Sequence, residues 1–255
     1  MDLILDPALS GPANMARDEL LLTQAIEYGR LATRWYAWSP ATLSLGYFQS
    51  DEPHVRPDLP RVRRLSGGGA IIHDVEWTYS LAAPSGVLGE STDLYARVHE
   101  AILAETAASG LLLAMRGVDE RELDDRFLCF GRGDRHDILT GGTKVVGSAQ
   151  RRRGGAVLQH GSIAVGVDID GRTIGQACDF QSFAESVARR LVGPIELRRV
   201  EWTAEEREAA DAWATRKYGH LDWQGPLRRG PAAVPRPATG RDDGPAGGRV
   251  GAAFP

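Results

Sequence analysis

Lysine is nearly missing from this chain. Of 30 lysines and arginines, only Lys144 and Lys217 are lysine, so arginine carries almost every fixed positive charge. Cysteine is equally scarce, with Cys129 and Cys178 alone. Two cysteines do not make the disulfide framework of a small secreted domain, and no CxxC or Cys/His cluster has zinc-like spacing. No apolar run approaches the roughly 20 residues of a membrane span. The opening MDLILDPALSGP has neither the basic n-region nor the apolar core of a signal peptide. Positive charge is not in excess either: the formal net charge is −4 and the pI about 5.9, which argues against a general nucleic-acid binder. A cytoplasmic, monomeric or weakly oligomeric protein with reduced thiols is therefore expected. Its 255 residues, 42% hydrophobic and 25% charged, suit one large domain or two small ones with a real core.

Along the chain, 3–5 read as a short strand before Pro7. A helix is predicted from Asn14, with Asn14 as its cap and Asp18 and Glu19 near the positive end of its dipole. Met15, Leu22 and Ile26 form its apolar stripe, and Gly29 ends it. Five runs rich in aromatic and β-branched residues follow, at 31–38, 42–48, 62–65, 70–73 and 77–82, and read as strands of one sheet. Ser91 opens a second helix with Leu94, Val98 and Ile102 on one face and Gly110 just past its end. A strand at 111–115 precedes an exposed charged loop, 117–127. Gly141-Gly142 joins 137–140 to 143–146 as a hairpin, and 153–155 turns the chain into a strand at 156–167. Ser182-x-x-Glu185 and Thr203-x-x-Glu206 match capping boxes for helices near 182–192 and 204–218. The second lays Ala210, Trp213 and Ala214 against the body. After Trp223, residues 225–255 are Gly, Pro, Arg and Ala and read as a disordered tail after a catalytic domain at 1–224.

Two stretches are dense in chemistry. Lys144 lies between Gly142 and Gly147, where a chain so poor in lysine keeps a compact, deprotonatable ammonium that arginine cannot replace. Chance retention at a turn is the alternative. The other is Arg63-Arg64-Leu65-Ser66-Gly67-Gly68-Gly69-Ala70, followed by His73. Three consecutive glycines let backbone approach a ligand without Cβ interference, and their N–H groups suit a carbonyl or phosphate oxygen. His73 has two readings, a ligand contact or a satisfied core histidine.

RRLSGGGAIIHDVEWTYS and GGTKVVGSAQRRRGGAVLQHGSI resemble, in order and spacing, the two signature segments of the lipoate–protein ligase A superfamily. That superfamily also holds biotin protein ligases and octanoyltransferases. The resemblance extends over about 3–224. It implies an α+β fold: a mixed, largely antiparallel central sheet with flanking helices, as in the class II synthetase and biotin ligase catalytic domains. It places Arg64, Ser66, Gly67, Gly68, Gly69 and His73 around an acyl chain and its carbonyl. Gly147, Ser148, Ala149, Gln150, Gln159, His160 and Gly161 would line the acyl pocket from adjacent strands. Gln150 and Gln159 equally suit stabilising the sheet.

Three chemistries compete within the superfamily. ATP-dependent ligases activate free lipoate using the motif lysine, here Lys144. Cysteine-dependent octanoyltransferases move octanoate from acyl carrier protein to a lysine of a lipoyl domain. Their nucleophile precedes the lysine strand, where Cys129 stands, and HDVEWTYS looks closer to this branch. Lipoyl-domain amidotransferases share the cysteine but differ more in the GSAQ and LQHGSI segments. A binder of carrier protein or lipoyl domain that keeps only the fold is a fourth reading, and it would need neither Cys129 nor Lys144. The octanoyltransferase reading is the expectation. A thiolate both attacks and leaves readily, which suits a thioester donor and an amine acceptor. A free thiol with a pKa of about 8.5 is only a few per cent thiolate at neutral pH, and a nearby Lys144 ammonium would raise that share and bind the oxyanion. Octanoyl-acyl carrier protein is then the donor. Glycine cleavage H protein or a 2-oxoacid dehydrogenase E2 is the acceptor, and no metal or cofactor is implied. Cys178 is the rival thiol, but its context GQACDF reads better as a small buried residue at a helix start. Arg151-Arg152-Arg153 is either a solvated turn or a contact for an acidic carrier protein.

Overall fold

The computed structural model describes residues 1–90, 93–117 and 134–224. The chain begins with β1 (Asp2–Leu5), α1 (Gly11–Tyr28), β2 (Ala32–Tyr36), β3 (Thr42–Leu45), β4 (Arg61–Arg63), β5 (Ile71–His73) and β6 (Trp77–Pro84). It continues through α2 (Leu94–Ala108), β7 (Ala114–Met115), β8 (Ile138–Thr140), β9 (Thr143–Arg153) and β10 (Ala156–Ile163). It closes with α3 (Ile174–Ala177), α4 (Phe180–Val192), β11 (Arg198–Arg199), α5 (Ala204–Trp213), a π-helical turn (Ala214–Tyr218) and α6 (Leu221–Gln224).

The main sheet has the order β11-β1-β2-β6-β10-β9-β8-β7. Its first three strands run parallel and the rest antiparallel, which is the mixed, largely antiparallel arrangement expected. Side chains alternate across it, as the two-residue strand period requires, except at the β8–β9 irregularity where Val145 and Val146 enter the same core. Leu3, Trp35, Leu81 and Val157 enter a core with Val98 and Ile102 of α2 and Phe183 and Val187 of α4. Their neighbours Ile4, Tyr36, Ala82 and Leu158 enter the opposite core, with Met15 and Leu21 of α1 and Tyr218 of the π turn. Helices therefore cover both faces, and every residue of β10 is buried. Each large side chain so buried contributes about 1.5–3 kcal/mol. Among the described residues no helix is long and apolar enough to cross a membrane.

The five early strands do not form one sheet. β3, β4 and β5 make a separate sheet of order β4-β3-β5. A strand has two hydrogen-bonding edges, and those of β2 are already taken by β1 and β6. After the Ser39-Pro40 turn the chain leaves the main sheet and builds its own.

Helix starts also move. α1 begins after Ser10, with Pro12 in its first turn, where a missing N–H costs nothing. Asn14 lies inside the helix: its amide donates to the Leu9 and Ala37 carbonyls at 3.1 Å, pinning α1 to the end of β2. Asp18 and Glu19 are buried partners of the sheet and of the C-terminal segment rather than dipole acids. The cap of α4 is Asp179, whose Oδ1 accepts from the Ser182 N–H, because an acid three residues upstream of Ser182 outcompetes the serine. Thr203 and Glu206 do form a capping box, and Thr173 and Gln176 form another for the unforeseen α3. The strand predicted at 111–115 shrinks to Ala114–Met115, and that at 156–167 ends at Ile163. Both glycine-pair turns hold, with positive φ at Gly141, Gly142, Gly154 and Gly155, as tight hairpins on twisted strands demand. Ser91, the 118–127 part of the charged loop and the 225–255 tail lie outside the described residues.

Candidate active site

A cavity opens between the β6–β10–β9 face of the main sheet, the small sheet and α1. Met15, Tyr36, Trp38, Ile71 and the Gly147 and Gly161 backbones give it an apolar floor, and Lys144 and Ser148 supply polar atoms. An acyl chain fits such a lining.

Lys144 stands near the start of β9 with its side chain 6% exposed, and its Nζ is 2.9 Å from Asp137 Oδ1. Asp137 is held in turn by the Asp134 N–H, which donates to its second oxygen at 2.8 Å. Burial pushes the Asp137 carboxyl upward, while Lys144 pulls the other way. The lysine crosses the face of Gly147: a Cβ there would lie 2.3 Å from Lys144 Cε and 2.7 Å from Nζ. Gly147 thus clears the path by which the amine reaches the cavity.

The glycine loop is rigidly tied. The Arg64 guanidinium donates to the Gly67 and Gly69 carbonyls at 2.8 and 2.7 Å and to the Ser44 carbonyl and hydroxyl at 3.1 Å. Gly46 lies so close that a Cβ on it would come 2.0 Å from the Gly68 carbonyl oxygen. Gly68 has φ 95° and lines the cavity. The Ser66 hydroxyl turns away to the Nε2 of His160, and Nδ1 of that ring is 3.0 Å from Asp18 Oδ2. Asp18 also accepts from Arg34 and from the Tyr36 hydroxyl at 3.0 Å. Burial works against its charge, but the bonds to His160 and Arg34 win and hold its pKa below the usual value.

His73 joins both of its readings. It lines the cavity, yet its Nδ1 is 2.5 Å from Glu76 Oε1 and its Nε2 2.7 Å from Ser44 Oγ. Trp38 stacks on it at 3.8 Å and donates to Thr78 at 2.8 Å. Ser162 donates to the other Glu76 oxygen.

Ser148, Ala149, His160 and Gly161 line the cavity from β9 and β10 as expected. Gln150 and Gln159 instead bond to each other at 2.8 Å, and Gln159 donates to the Tyr79 hydroxyl. Cys178 caps α3 and donates to Ser109 Oγ at 3.2 Å, packed against the α2–α4 core away from the cavity. Lys217 pairs with Glu19 at 2.6 Å, tying the C-terminal turn to α1. Cys129 lies outside the described residues.

Sequence reasoning missed Gly46, Asp18, Tyr79, His99 and Asp137. Glu76, three residues after His73, was the one unread partner with a local signal. Asp18 and His99 reach it from α1 and α2, Tyr79 from β6, Gly46 from the end of β3 and Asp137 from the turn before β8.

Octanoyltransferase LipM of Moorella thermoacetica is 40% identical over 180 residues, covering 66% of this chain and 66% of the relative. Octanoyltransferase LipM of Symbiobacterium thermophilum is 39% identical over 175 residues, covering 62% and 63%. The chain thus spans just under two thirds of the length of these curated relatives. Among solved structures, a bi-partite lipoate protein ligase with its E2 lipoyl domain from Thermoplasma acidophilum matches with a TM-score of 0.67. It is 20% identical and covers 90% of this chain and 98% of that one, a likeness of fold. The family model for the lipoyl protein ligase A/B catalytic domain matches residues 10–206. That span holds both the glycine loop and the Lys144 strand, and the protein belongs to the lipoyl protein ligase A/B catalytic domain family.

Proposed function

We propose that this chain transfers an octanoyl group from acyl carrier protein to a lysine of a lipoyl domain, through a thioester on Cys129. It does so as a cytoplasmic monomer. The observation that carries the reading is the Lys144 amine, held by Asp137 and laid across Gly147 into an apolar cavity. The relatives named octanoyltransferase support it from outside the chain. Cys129 stands five residues before Asp134, whose N–H bonds to the carboxylate that holds Lys144. Five residues span at most about 18 Å, so chain length permits the thiol to meet the amine.

In the first step the Cys129 thiolate attacks the octanoyl carbonyl. A C–S bond to Cys129 forms, the C–S bond to the carrier breaks, and the carrier thiolate leaves. In the second step the lipoyl-domain amine attacks the new thioester. An amide C–N bond forms, the Cys129 C–S bond breaks, and one amine proton passes to sulfur. The Lys144 ammonium favours the thiolate and steadies the oxyanion in both steps. The glycine loop and His73 close the site around the acyl group.

The test offers purified protein an apo lipoyl domain (H protein or E2) with either octanoyl carrier protein or octanoate plus ATP. Transfer from the carrier alone, with one octanoyl adduct on the wild type and none on Cys129→Ser, is expected. Transfer that requires ATP identifies a ligase, and an adduct that survives Cys129→Ser removes the cysteine mechanism.

A further inference from the structure

The polar side chains of the cavity floor turn their protons away from it. Register puts four positions in one row across the strands: Tyr36 opposite Thr78, Thr78 opposite Ser162, and Ser162 opposite Gly147. Cross-strand partners share a face, and this is the face on which Lys144 crosses Gly147. Tyr36, Thr78 and Ser162 line the cavity there, with Trp38, His73 and His160 around them. Every polar proton of these six is drawn back into the wall. The Ser162 and Thr78 hydroxyls donate to Glu76, and Trp38 donates to Thr78. Both ring nitrogens of His73 are taken, by Glu76 and Ser44, and both of His160, by Asp18 and Ser66. The Tyr36 hydroxyl donates to Asp18. Two buried carboxyl groups, Glu76 and Asp18, thus collect the hydrogens of the wall from behind.

What Ser162 and Thr78 keep toward the cavity is lone pairs, since a hydroxyl has two and Thr78 uses one for Trp38. A hydroxyl that already donates is bonded, so hydrocarbon covers its spare lone pairs at little cost. A ligand donor is also tolerated. A ligand acceptor on this wall loses its bonds to water and gains none. The acyl oxygen therefore belongs at the Lys144 end, with the chain running along the row toward Tyr36. Strands lie about 4.8 Å apart, which puts Thr78 about 10 Å from Gly147. An extended eight-carbon chain with C–C bonds of about 1.5 Å covers about 9 Å, so its seventh carbon passes Ser162 and Thr78.

We propose that Glu76, backed by Asp18, is a specificity-determining residue: it strips the cavity wall of donors and so excludes acyl chains that carry an acceptor-only group, such as a ketone, near their far end. A hydroxyl at the same carbon is admitted, because it donates to Ser162 or Thr78. This rests on the octanoyl-transfer reading above.

For the test, carrier protein is loaded with octanoyl, 7-hydroxyoctanoyl or 7-oxooctanoyl chains, and kcat/KM for transfer to the apo lipoyl domain is compared. The wild type should use the ketone about tenfold less well than the hydroxyl chain, the effect of one buried unpaired acceptor. In Glu76→Gln the amide brings two N–H donors and leaves one oxygen for His73, Thr78 and Ser162 together. The two chains should then be used within about twofold of each other. Each ratio is internal to one protein, so a variant that is merely less folded leaves it unmoved. Equal use of ketone and hydroxyl chains by the wild type, or an unchanged ratio in the variant, overturns the assignment. If Glu76→Gln does not fold, the wild-type ratio decides alone. A wild type that transfers none of the three chains refutes the transfer reading instead. Calorimetric binding of 7-hydroxyoctanoate and 7-oxooctanoate then supplies the ratio, and equal affinities would remove the role of Glu76 as well.

Discussion

Lowering the pH from 7 to 5 should cost this fold about 2 kcal/mol through one buried imidazole. His99 projects from α2 beneath the sheet and is 1% exposed. Desolvation is the largest influence on it and disfavours its charged form. The nearby Lys144 acts in the same direction, and the bond to the His136 carbonyl only partly offsets them. The folded pKa is about 4, against 6.5 for a free imidazole. Between those values the unfolded chain binds a proton that the folded chain refuses, so stability rises with pH across this window. The contribution is complete above pH 6.5 and is lost as the pH falls toward 4. Asp137 works in the opposite sense, since its raised pKa makes the folded state bind its proton first. The comparison is therefore made against His99→Phe, which keeps Asp137. Urea unfolding at pH 7, 6 and 5 gives each stability by linear extrapolation. The wild type should lose about 2 kcal/mol relative to the variant between pH 7 and 5. A gap that stays constant with pH would mean that His99 binds its proton equally in the folded and unfolded chain, and the desolvation argument would fall.

Gly147→Ala should lower the melting temperature by straining the buried Lys144–Asp137 pair and reduce octanoyl transfer by about tenfold or more. The new Cβ would lie 2.3 Å from Lys144 Cε and 3.5 Å from Asp137 Oδ1, and so pushes the amine off its line. A melting curve and a transfer assay together read this, and an unaffected rate would remove Gly147 from the argument. Asp18→Asn should destabilise the protein by about 3–5 kcal/mol in denaturant unfolding, because Arg34 stays buried beside a weakened partner. A change below about 1 kcal/mol would show that Asp6 alone neutralises Arg34. Arg151 and Arg152 have no carboxylate partner among the described residues, and Arg151 lies 4.7 Å over the Tyr47 ring beside the glycine loop. Reversing both to Glu should raise the KM for carrier protein by about tenfold and leave that for the acceptor unchanged. No change in either KM would point to a solvated turn.

Much of the scaffold was legible because it is encoded locally. The glycine pairs at 141–142 and 154–155 demand positive φ whatever surrounds them, so both hairpins of β8–β10 are readable from spacing. Thr203 and Glu206 cap each other within one turn, and Gly29 ends α1 by its own left-handed backbone. Lys144 stood out by composition before any contact was known. Errors arose where two local signals competed, as with Asp179 against Ser182, or where a residue's duty lay elsewhere in the chain. Asn14 reads as a cap in the sequence because nothing local reports the Ala37 carbonyl it serves.

The sequence by itself determined the long helices and strands, where the tight turns fall, and which two motifs hold polar residues of a cavity. Those properties depend on side-chain period and backbone sterics over a few residues. Only the tertiary structure decided that β3–β5 form a second sheet, since that depends on which strand edges are already occupied. It also decided the hydrogen-bond file from Arg152 to His136, because seven residues from three strands, one helix and the turn before β8 must meet before any hydroxyl has a direction.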